Sequence, residues 1–184
     1  ELVKESAKGI FIPMTVGGGI RSSKDVEELL RCGADKIAVN TAAVKNPTII
    51  NEMSRSFGSQ CIVLSIDVKK IDGNYFVFQN GGRINTGIDA IEWAKKGVAL
   101  GAGELVINSM NHDGMKQGFD IELLNIITNA VNVPVIASGG AGSIQDFVDL
   151  GTQTDVDGFL AASVFHYKKI QIQDLKKELN DNGI

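Results

Sequence analysis

The segment PMTVGGGIRSSKDVEELL, residues 13–30, determines the architecture because a near copy of it occurs again later in the chain. In both copies an apolar run leads into glycines and then into a helical pattern. The second copy reads PVIASGGAGSIQDFVDL at residues 134–150, with glycines, an aspartate and a leucine at matching positions. Each copy therefore predicts a buried strand, a glycine turn and a helix.

The repeat continues through a second strand and helix. KIAVNTAAV, from residue 36, aligns with GFLAASVF, from residue 158, after a slip of one residue. Two further strand–helix patterns, beginning at residues 61 and 104, lie between the copies. A four-unit half that occurs twice predicts an α/β fold of the (β/α)8 TIM-barrel type with pseudo-twofold symmetry. About six βα units are visible, strands three to eight, so we expect an incomplete barrel with strands one and two missing.

The predicted strands are continuous apolar runs, as expected for strands that are buried on both faces of a parallel sheet. They cover residues 12–18, 36–40, 61–67, 104–110, 133–140 and 158–164. Residues 69–86 interrupt the alternation, and their IDGN sequence predicts a β-hairpin after the third visible strand. We expect a single domain over residues 1–184, in which residues 1–60 end a first half-barrel and residues 61–184 form the second. Since residues 1–9 lack an initiator Met and resemble a helix tail, we expect the sequence to begin in mid-domain.

Composition limits the class of protein. The hydrophobic fraction is 43%, with 21 Gly and 3 Pro, which fits regular elements joined by tight turns. No apolar run approaches the ~18 residues of a membrane-spanning helix. The net charge of −4 argues against a general nucleic-acid or anionic-membrane binder. Cys32 and Cys61 form no metal-binding or redox motif, so we expect no metal and a reducing, cytoplasmic location.

The glycine turns fall at the carboxyl ends of the strands, where barrel enzymes place their chemistry. Glycine lets backbone N–H groups approach an anion closely. Gly139-Gly140 with Ala162-Ser163 therefore predict one phosphate cradle, and Gly18-Gly19 with Asn40-Thr41 predict a second. Alternatively, the glycines only turn the chain. Two cradles on opposite sides of a barrel mouth predict a long substrate with a phosphate at each end.

Charged residues at the strand ends are the candidate chemical groups. Asp67 ends CIVLSID, where a carboxylate is costly to bury unless it is used or paired, and we expect acid/base work, or else capping or loop anchoring. Asp113, in a polar loop, is a candidate substrate or phosphate-loop ligand, whereas we expect His112 to be solvated. Lys36 and Glu104 begin their strands at the opposite end. They predict either a charged layer on the barrel floor or a plain salt bridge.

The motifs TVGGGIRS, GADKIAVNTAAV, FGSQCIVLSID, DGMKQGFD and VPVIASGGAG closely resemble the cyclase subunit of imidazole glycerol phosphate synthase, of histidine biosynthesis. The resemblance covers essentially all 184 residues. It implies a lyase that takes a bis-phosphorylated ribulosyl aminoimidazole carboxamide nucleotide, adds ammonia and closes an imidazole ring. The products are imidazole glycerol phosphate and aminoimidazole carboxamide ribotide. It implies no cofactor, and a glutaminase subunit at the barrel floor that sends ammonia through the barrel.

The resemblance also assigns roles to residues. Asp67 matches one of two catalytic aspartates; the other, on strand one, has no counterpart here. Asn111 stands where many members have an aspartate, which leaves it a neutral hydrogen-bonding role. The remaining matches are Gly19, Asn40 and Thr41 in one phosphate site; Asp113, Gly114, Gly140, Ala162 and Ser163 in the other; Lys36 and Glu104 in a four-residue ammonia gate; and Asp35 and Gln60 on the glutaminase-facing surface.

Two other interpretations stay open on the sequence. One is a non-catalytic barrel fragment that binds a phosphorylated ligand or a partner. The other is a cyclase-like paralogue that acts on a sugar. Six strands without closure leave two sheet edges exposed, and without strand one we expect the 184-residue chain itself to be inactive.

Overall fold

A computed structural model describes all 184 residues and shows a parallel sheet of six strands surrounded by helices, with an antiparallel hairpin at one end. None of the helices has the length and apolar character needed to span a membrane. The elements are α1 (Leu2–Ala7), β1 (Thr15–Gly17), α2 (Ser23–Arg31), β2 (Lys36–Val39), α3 (Thr41–Lys45), α4 (Thr48–Phe57), a 3₁₀ turn (Ser59–Cys61), β3 (Ile62–Ile71), β4 (Asn74–Gln79), β5 (Ile84–Asp89), α5 (Ala90–Ala99), β6 (Glu104–Ser109), α6 (Ile121–Ala130), β7 (Val135–Ser138), α7 (Ile144–Gln153), β8 (Gly158–Leu160), α8 (Ser163–His166) and α9 (Ile172–Asp181).

The sheet has the order β1-β2-β3-β6-β7-β8, and every neighbouring pair on this path is parallel. β1 and β8 do not pair with each other, so the sheet is not closed. The curvature is visible at its floor, where Lys36 of β2 reaches Glu104 of β6 across the intervening β3. The predicted incomplete (β/α)8 barrel is thereby confirmed.

Alternation along each strand separates the core from the concave face. On β3, Ile62, Leu64 and Ile66 are fully buried beneath the helices, while Ser65 and Asp67 are only half-buried on the other face. The same alternation holds on β6, where Leu105 and Ile107 belong to the core. The core therefore lies between sheet and helices, and the polar positions face the centre of the barrel.

The predicted repeat is present in the hydrogen bonds as well as the sequence. Ser22 and Ser143 each form a capping box with the aspartate three residues later, at the start of α2 and α7. Asp35 accepts a hydrogen bond from the Met14 N–H at 2.7 Å, and Asp157 accepts one from the Val135 N–H at 2.9 Å. The two copies therefore have the same helix caps. They also have the same aspartate–backbone hydrogen bond, which connects the segments that begin two neighbouring strands.

The hairpin differs from its prediction in one respect. β3 does not stop at Asp67 but runs on to Ile71, because its continuation pairs with β4. Asp72 and Gly73 connect the two strands, both with positive φ, as a two-residue type I′ turn requires. A third strand, β5, follows a second turn and pairs with β4. The insertion is therefore a three-stranded extension of the sheet beyond the carboxyl end of β3.

Candidate active site

Two cavities open side by side at the carboxyl ends of the strands, and Ser65 of β3 lines both. The first has a volume of about 770 Å³, the second about 480 Å³. Together they contain every residue predicted for the phosphate cradles. Gly18, Gly19, Asn40 and Thr41 line the first, and Asp113, Gly114, Gly139, Gly140, Ala162 and Ser163 line the second.

The first cradle is open. Gly18 and Gly19 have φ of 97° and 73°, and nothing lies within 4 Å of the position where either would carry a Cβ. Glycine is needed there for the backbone conformation and not for space. The N–H groups of Gly18, Gly19 and Thr41 donate no hydrogen bond to another backbone group. They are therefore free to donate to an anion in the cavity.

The second cradle is braced by a neighbouring loop, which sequence reasoning did not anticipate. Gly139 and Gly140 are buried, with φ of 91° and 113°. A Cβ at Gly140 would lie 2.0 Å from the carbonyl oxygen of Gly118, whose N–H donates to the Gly140 carbonyl at 3.1 Å. Here glycine is required both for its conformation and because the loop between β6 and α6 packs directly against it.

Asp67 lies where the two cavities meet. Its Oδ2 accepts a hydrogen bond from the Asn40 side-chain amide at 2.9 Å, and its Oδ1 accepts one from the Asn108 amide at 3.1 Å. Asn108 Oδ1 in turn accepts from the Ser138 hydroxyl at 3.2 Å. The carboxylate caps no helix and anchors no loop backbone, so those alternatives are wrong. Side chains from the end of β2, from β6 and from β7 thus fix its orientation on the concave face.

Asn108 is the functional candidate that the sequence analysis missed. It lies inside the run ELVINSM, residues 104–110, whose apolar residues predict a strand but draw no attention to the asparagine. The alternation of the strand points to this residue, because Glu104, Val106 and Asn108 share the concave face. A polar residue on that face near a strand's carboxyl end is a candidate site residue in a barrel.

His112 is partly solvated, with 34% of its side chain exposed, and it also makes contacts within its loop. It is half-buried, its Nδ1 lies 2.8 Å from the Gly118 carbonyl oxygen, and its Nε2 lies 3.9 Å from Asp120. Asp120 is buried and accepts hydrogen bonds from the Ser109 hydroxyl and from the Leu123 N–H. The histidine therefore holds the loop that braces the second cradle. His166 is exposed on α8, beside Tyr167.

Asn111 connects this loop to the hairpin. Its Oδ1 accepts from the Lys70 N–H at 2.7 Å, and its Nδ2 faces the Lys70 carbonyl oxygen at 3.5 Å. Lys70 also forms an exposed ion pair with Glu122 at 2.6 Å. The hydrogen bond from Lys70 lowers the pKa of Glu122, and the same bond raises the pKa of Lys70. An asparagine suits this position because its amide complements both backbone groups, whereas an aspartate only accepts.

The opposite end of the barrel carries the other predicted residues. Lys36 and Glu104 form an ion pair. Their side chains are 33% and 14% exposed, so the pair is partly shielded from solvent. One carboxylate oxygen of Asp35 accepts the hydrogen bond from the Met14 N–H. Gln60 is exposed in the 3₁₀ turn, with its Nε2 3.4 Å from the Phe57 carbonyl oxygen. These residues lie together at the amino-terminal side of the strands.

The fold and the position of these cavities define a chain of the (β/α)8-barrel class with its candidate site at the carboxyl ends of the strands. Residues 1–171 match the family of histidine biosynthesis proteins. The chain belongs to this family.

Curated relatives agree. The chain is 51% identical over 185 residues to imidazole glycerol phosphate synthase subunit HisF of Hydrogenobaculum sp. (strain Y04AAS1), covering 100% of this chain and 73% of the relative. The HisF subunit of Oceanobacillus iheyensis is 56% identical, with 72% of it covered, and that of Alkaliphilus metalliredigens is 49% identical, with 73% covered. The family resemblance predicted from the motifs is confirmed.

Proposed function

We propose that this protein is the cyclase subunit of imidazole glycerol phosphate synthase. It uses ammonia to convert the bis-phosphorylated ribulosyl aminoimidazole carboxamide nucleotide to imidazole glycerol phosphate and aminoimidazole carboxamide ribotide. The observation that carries the proposal is the position of Asp67 between two glycine-lined cavities, in a chain about half identical to named synthase subunits.

The arrangement suits a substrate with a phosphate at each end. Backbone N–H groups of the two glycine turns, with the hydroxyls of Thr41 and Ser163, are donors for phosphate oxygens. A substrate held at both ends passes over Ser65 and brings its reacting centre to Asp67. There the carboxylate takes a proton from, or returns one to, the nitrogen and carbon atoms that close the ring. The amides of Asn40 and Asn108 keep both of its oxygens oriented.

Ammonia enters, in this proposal, from the opposite end of the barrel. Lys36 and Glu104 form a partly shielded ion pair on the concave face, where they gate a path along the barrel axis. Asp35 and Gln60 lie nearby and face a glutaminase subunit that releases the ammonia. The name of the relatives, as subunits of a synthase, supports a partner of this kind. The reaction needs no cofactor, and we place it in the cytoplasm.

The role of Asp67 is tested by Asp67→Asn in the full-length gene product, supplied with ammonium and the nucleotide substrate. Asparagine keeps the size of the side chain but removes the proton acceptor, so we expect kcat to fall by at least about 10³-fold. Substrate binding, measured by isothermal titration calorimetry, should change by less than about threefold. Turnover retained within tenfold of the unaltered protein would exclude Asp67 as the acid/base group.

Asp72→Asn is the matched control. Asp72 lies five residues further along, in the exposed hairpin turn outside both cavities, and it adopts a φ of 49° that asparagine tolerates well. The same loss of a carboxylate should therefore leave kcat unchanged. If both variants lose activity equally, the effect belongs to the hairpin and not to the chemistry at Asp67.

A further inference from the structure

The two cradles have the same arrangement of glycines and a hydroxyl group, but the charged residues that line them differ. Arg21 and Lys45 are the only charged side chains that line the first cavity. Arg21 follows the glycine turn, and Lys45 ends α3; both are exposed, and neither forms an ion pair within 4 Å. The second cavity is lined by two charged residues, Asp67 and Asp113, and both are acidic.

The internal repeat shows that the two cations belong to one cradle only. Arg21 aligns with Gly142, and Lys45 aligns with Tyr167. A Cβ at Gly142 would lie 2.6 Å from the Lys116 carbonyl oxygen, so no side chain fits there. Lys116 itself does not line the second cavity. The pseudo-twofold axis therefore relates the glycines and the hydroxyls of the two cradles, but not their cations.

Asp25, the acidic residue hydrogen-bonded to the Arg21 backbone, does not neutralise the Arg21 side chain. Asp25 lies close to Arg21, but its Oδ2 already accepts hydrogen bonds from the N–H groups of Arg21 and Ser22, both at 2.9 Å. It forms no ion pair with the Arg21 guanidinium within 4 Å. Both cations are therefore available to an anion beside Gly18 and Gly19.

We propose that Arg21 and Lys45 are phosphate ligands of the first cradle and make it the tighter-binding end for the phosphorylated substrate. This rests on the proposed function for the identity of the substrate. A phosphate dianion gains charge-assisted hydrogen bonds from the two cations in the first cavity, whereas in the second it meets carboxylates and depends on the neutral donors of backbone N–H groups and the Ser163 hydroxyl. The first cradle captures the substrate, and the second sets its position relative to Asp67.

The proposal is tested by titrating the ¹⁵N-labelled full-length gene product with inorganic phosphate and following individual amide signals. The amides of Gly18, Gly19 and Thr41 report the first cradle, and those of Gly139, Gly140 and Ser163 report the second. We expect the first set to saturate at about tenfold lower phosphate concentration. In the double variant Arg21→Gln and Lys45→Gln, the Kd of the first cradle should rise about tenfold, which is about 1.4 kcal/mol, while the second stays unchanged.

Lys24→Gln is the matched control, because Lys24 is an exposed lysine of α2 that does not line the cavity. It should leave both Kd values unchanged. Equal affinity of the two cradles, an unchanged first Kd in the double variant, an equal loss in Lys24→Gln, or no binding at either cradle would each overturn the proposal. The titration involves no turnover, so a failure of the cyclase assignment at Asp67 would leave its result intact.

Discussion

At the scale of single residues, the two glycine pairs have different reasons to be glycine. Gly18 and Gly19 need only the left-handed conformation, since the space around them is empty. Gly139 and Gly140 need that conformation and also the absence of a side chain, because the end of β6 packs against Gly139 and the loop between β6 and α6 packs against Gly140. Sequence alone presents the pairs as equivalent, and only the tertiary contact separates them.

This difference predicts unequal costs of substitution. Gly18→Ala should lower the free energy of unfolding by about 1 kcal/mol, the cost of a left-handed alanine. Gly140→Ala should lower it by about 3 kcal/mol or more, because the Cβ must displace the Gly118 carbonyl, 2.0 Å away. Urea denaturation followed by circular dichroism measures both. Equal losses in the two variants would show that the loop is not fixed against the second cradle.

At the scale of elements, the repeat is maintained by helix caps. Ser22 and Ser143 occupy the same position in the two copies, and each closes a capping box with its aspartate, Asp25 or Asp146. The backbone hydrogen bonds to Asp25 lower the pKa of its carboxyl group. The ionised carboxylate is thus the form that completes the first cap.

Matched caps predict matched costs. Ser22→Ala and Ser143→Ala should each lower the free energy of unfolding by about 1 kcal/mol, because each leaves a helix N–H without its acceptor. Chemical denaturation of the two single variants measures this. Ser56→Ala, at an exposed position within α4, serves as the control and should change stability by less than about 0.5 kcal/mol. A loss confined to one copy would contradict the equivalence of the two caps.

The elements also show how much of the fold can be predicted from the sequence. Val- and Ile-rich runs predict all six parallel strands. In the structure only the helix-facing positions of β6 are fully buried, and its concave-face positions are half-buried, so the expected burial on both faces is wrong there. The length of β3 was not predictable, since its extension to Ile71 depends on pairing with β4. Asp67 was predictable as a strand-end carboxylate. The alternation of β6 places Asn108 on the concave face, but its hydrogen bond to Asp67 depends on the pairing of β3 with β6. The contact of His112 with Gly118 depends on the conformation of its loop, which no local pattern predicts.

At the scale of the whole molecule, the two groups of candidate functional residues lie at opposite ends of the barrel axis. The cavity-lining glycines, Asp67 and its amide partners lie at the carboxyl ends of the strands. The ion pair of Lys36 and Glu104 lies at the other end. Between them, the concave face carries small or modest side chains such as Ala38 and Ser65. The ammonia path that we propose would run past these side chains.

The open sheet has a further consequence. β1 and β8 each pair on one side only, and the segment before β1 exposes Phe11 to 95% and Ile12 to 75%. Leu160 of β8 is 44% exposed on the other edge. Unpaired strand edges beside apolar side chains favour edge-to-edge pairing between molecules. We therefore expect the 184-residue chain to associate with itself as its concentration rises, as measured by sedimentation velocity.

The double variant Phe11→Lys and Ile12→Lys should weaken this association by more than about tenfold, because burial of one such side chain contributes about 1.5–3 kcal/mol and lysine at an edge disfavours pairing. Ile172→Lys is the control, since Ile172 is 54% exposed at the start of α9 and belongs to neither edge strand. It should leave the association constant unchanged. If the chain stays monomeric, or if the control weakens association as much as the double variant, the edges are not the surfaces through which the molecules associate.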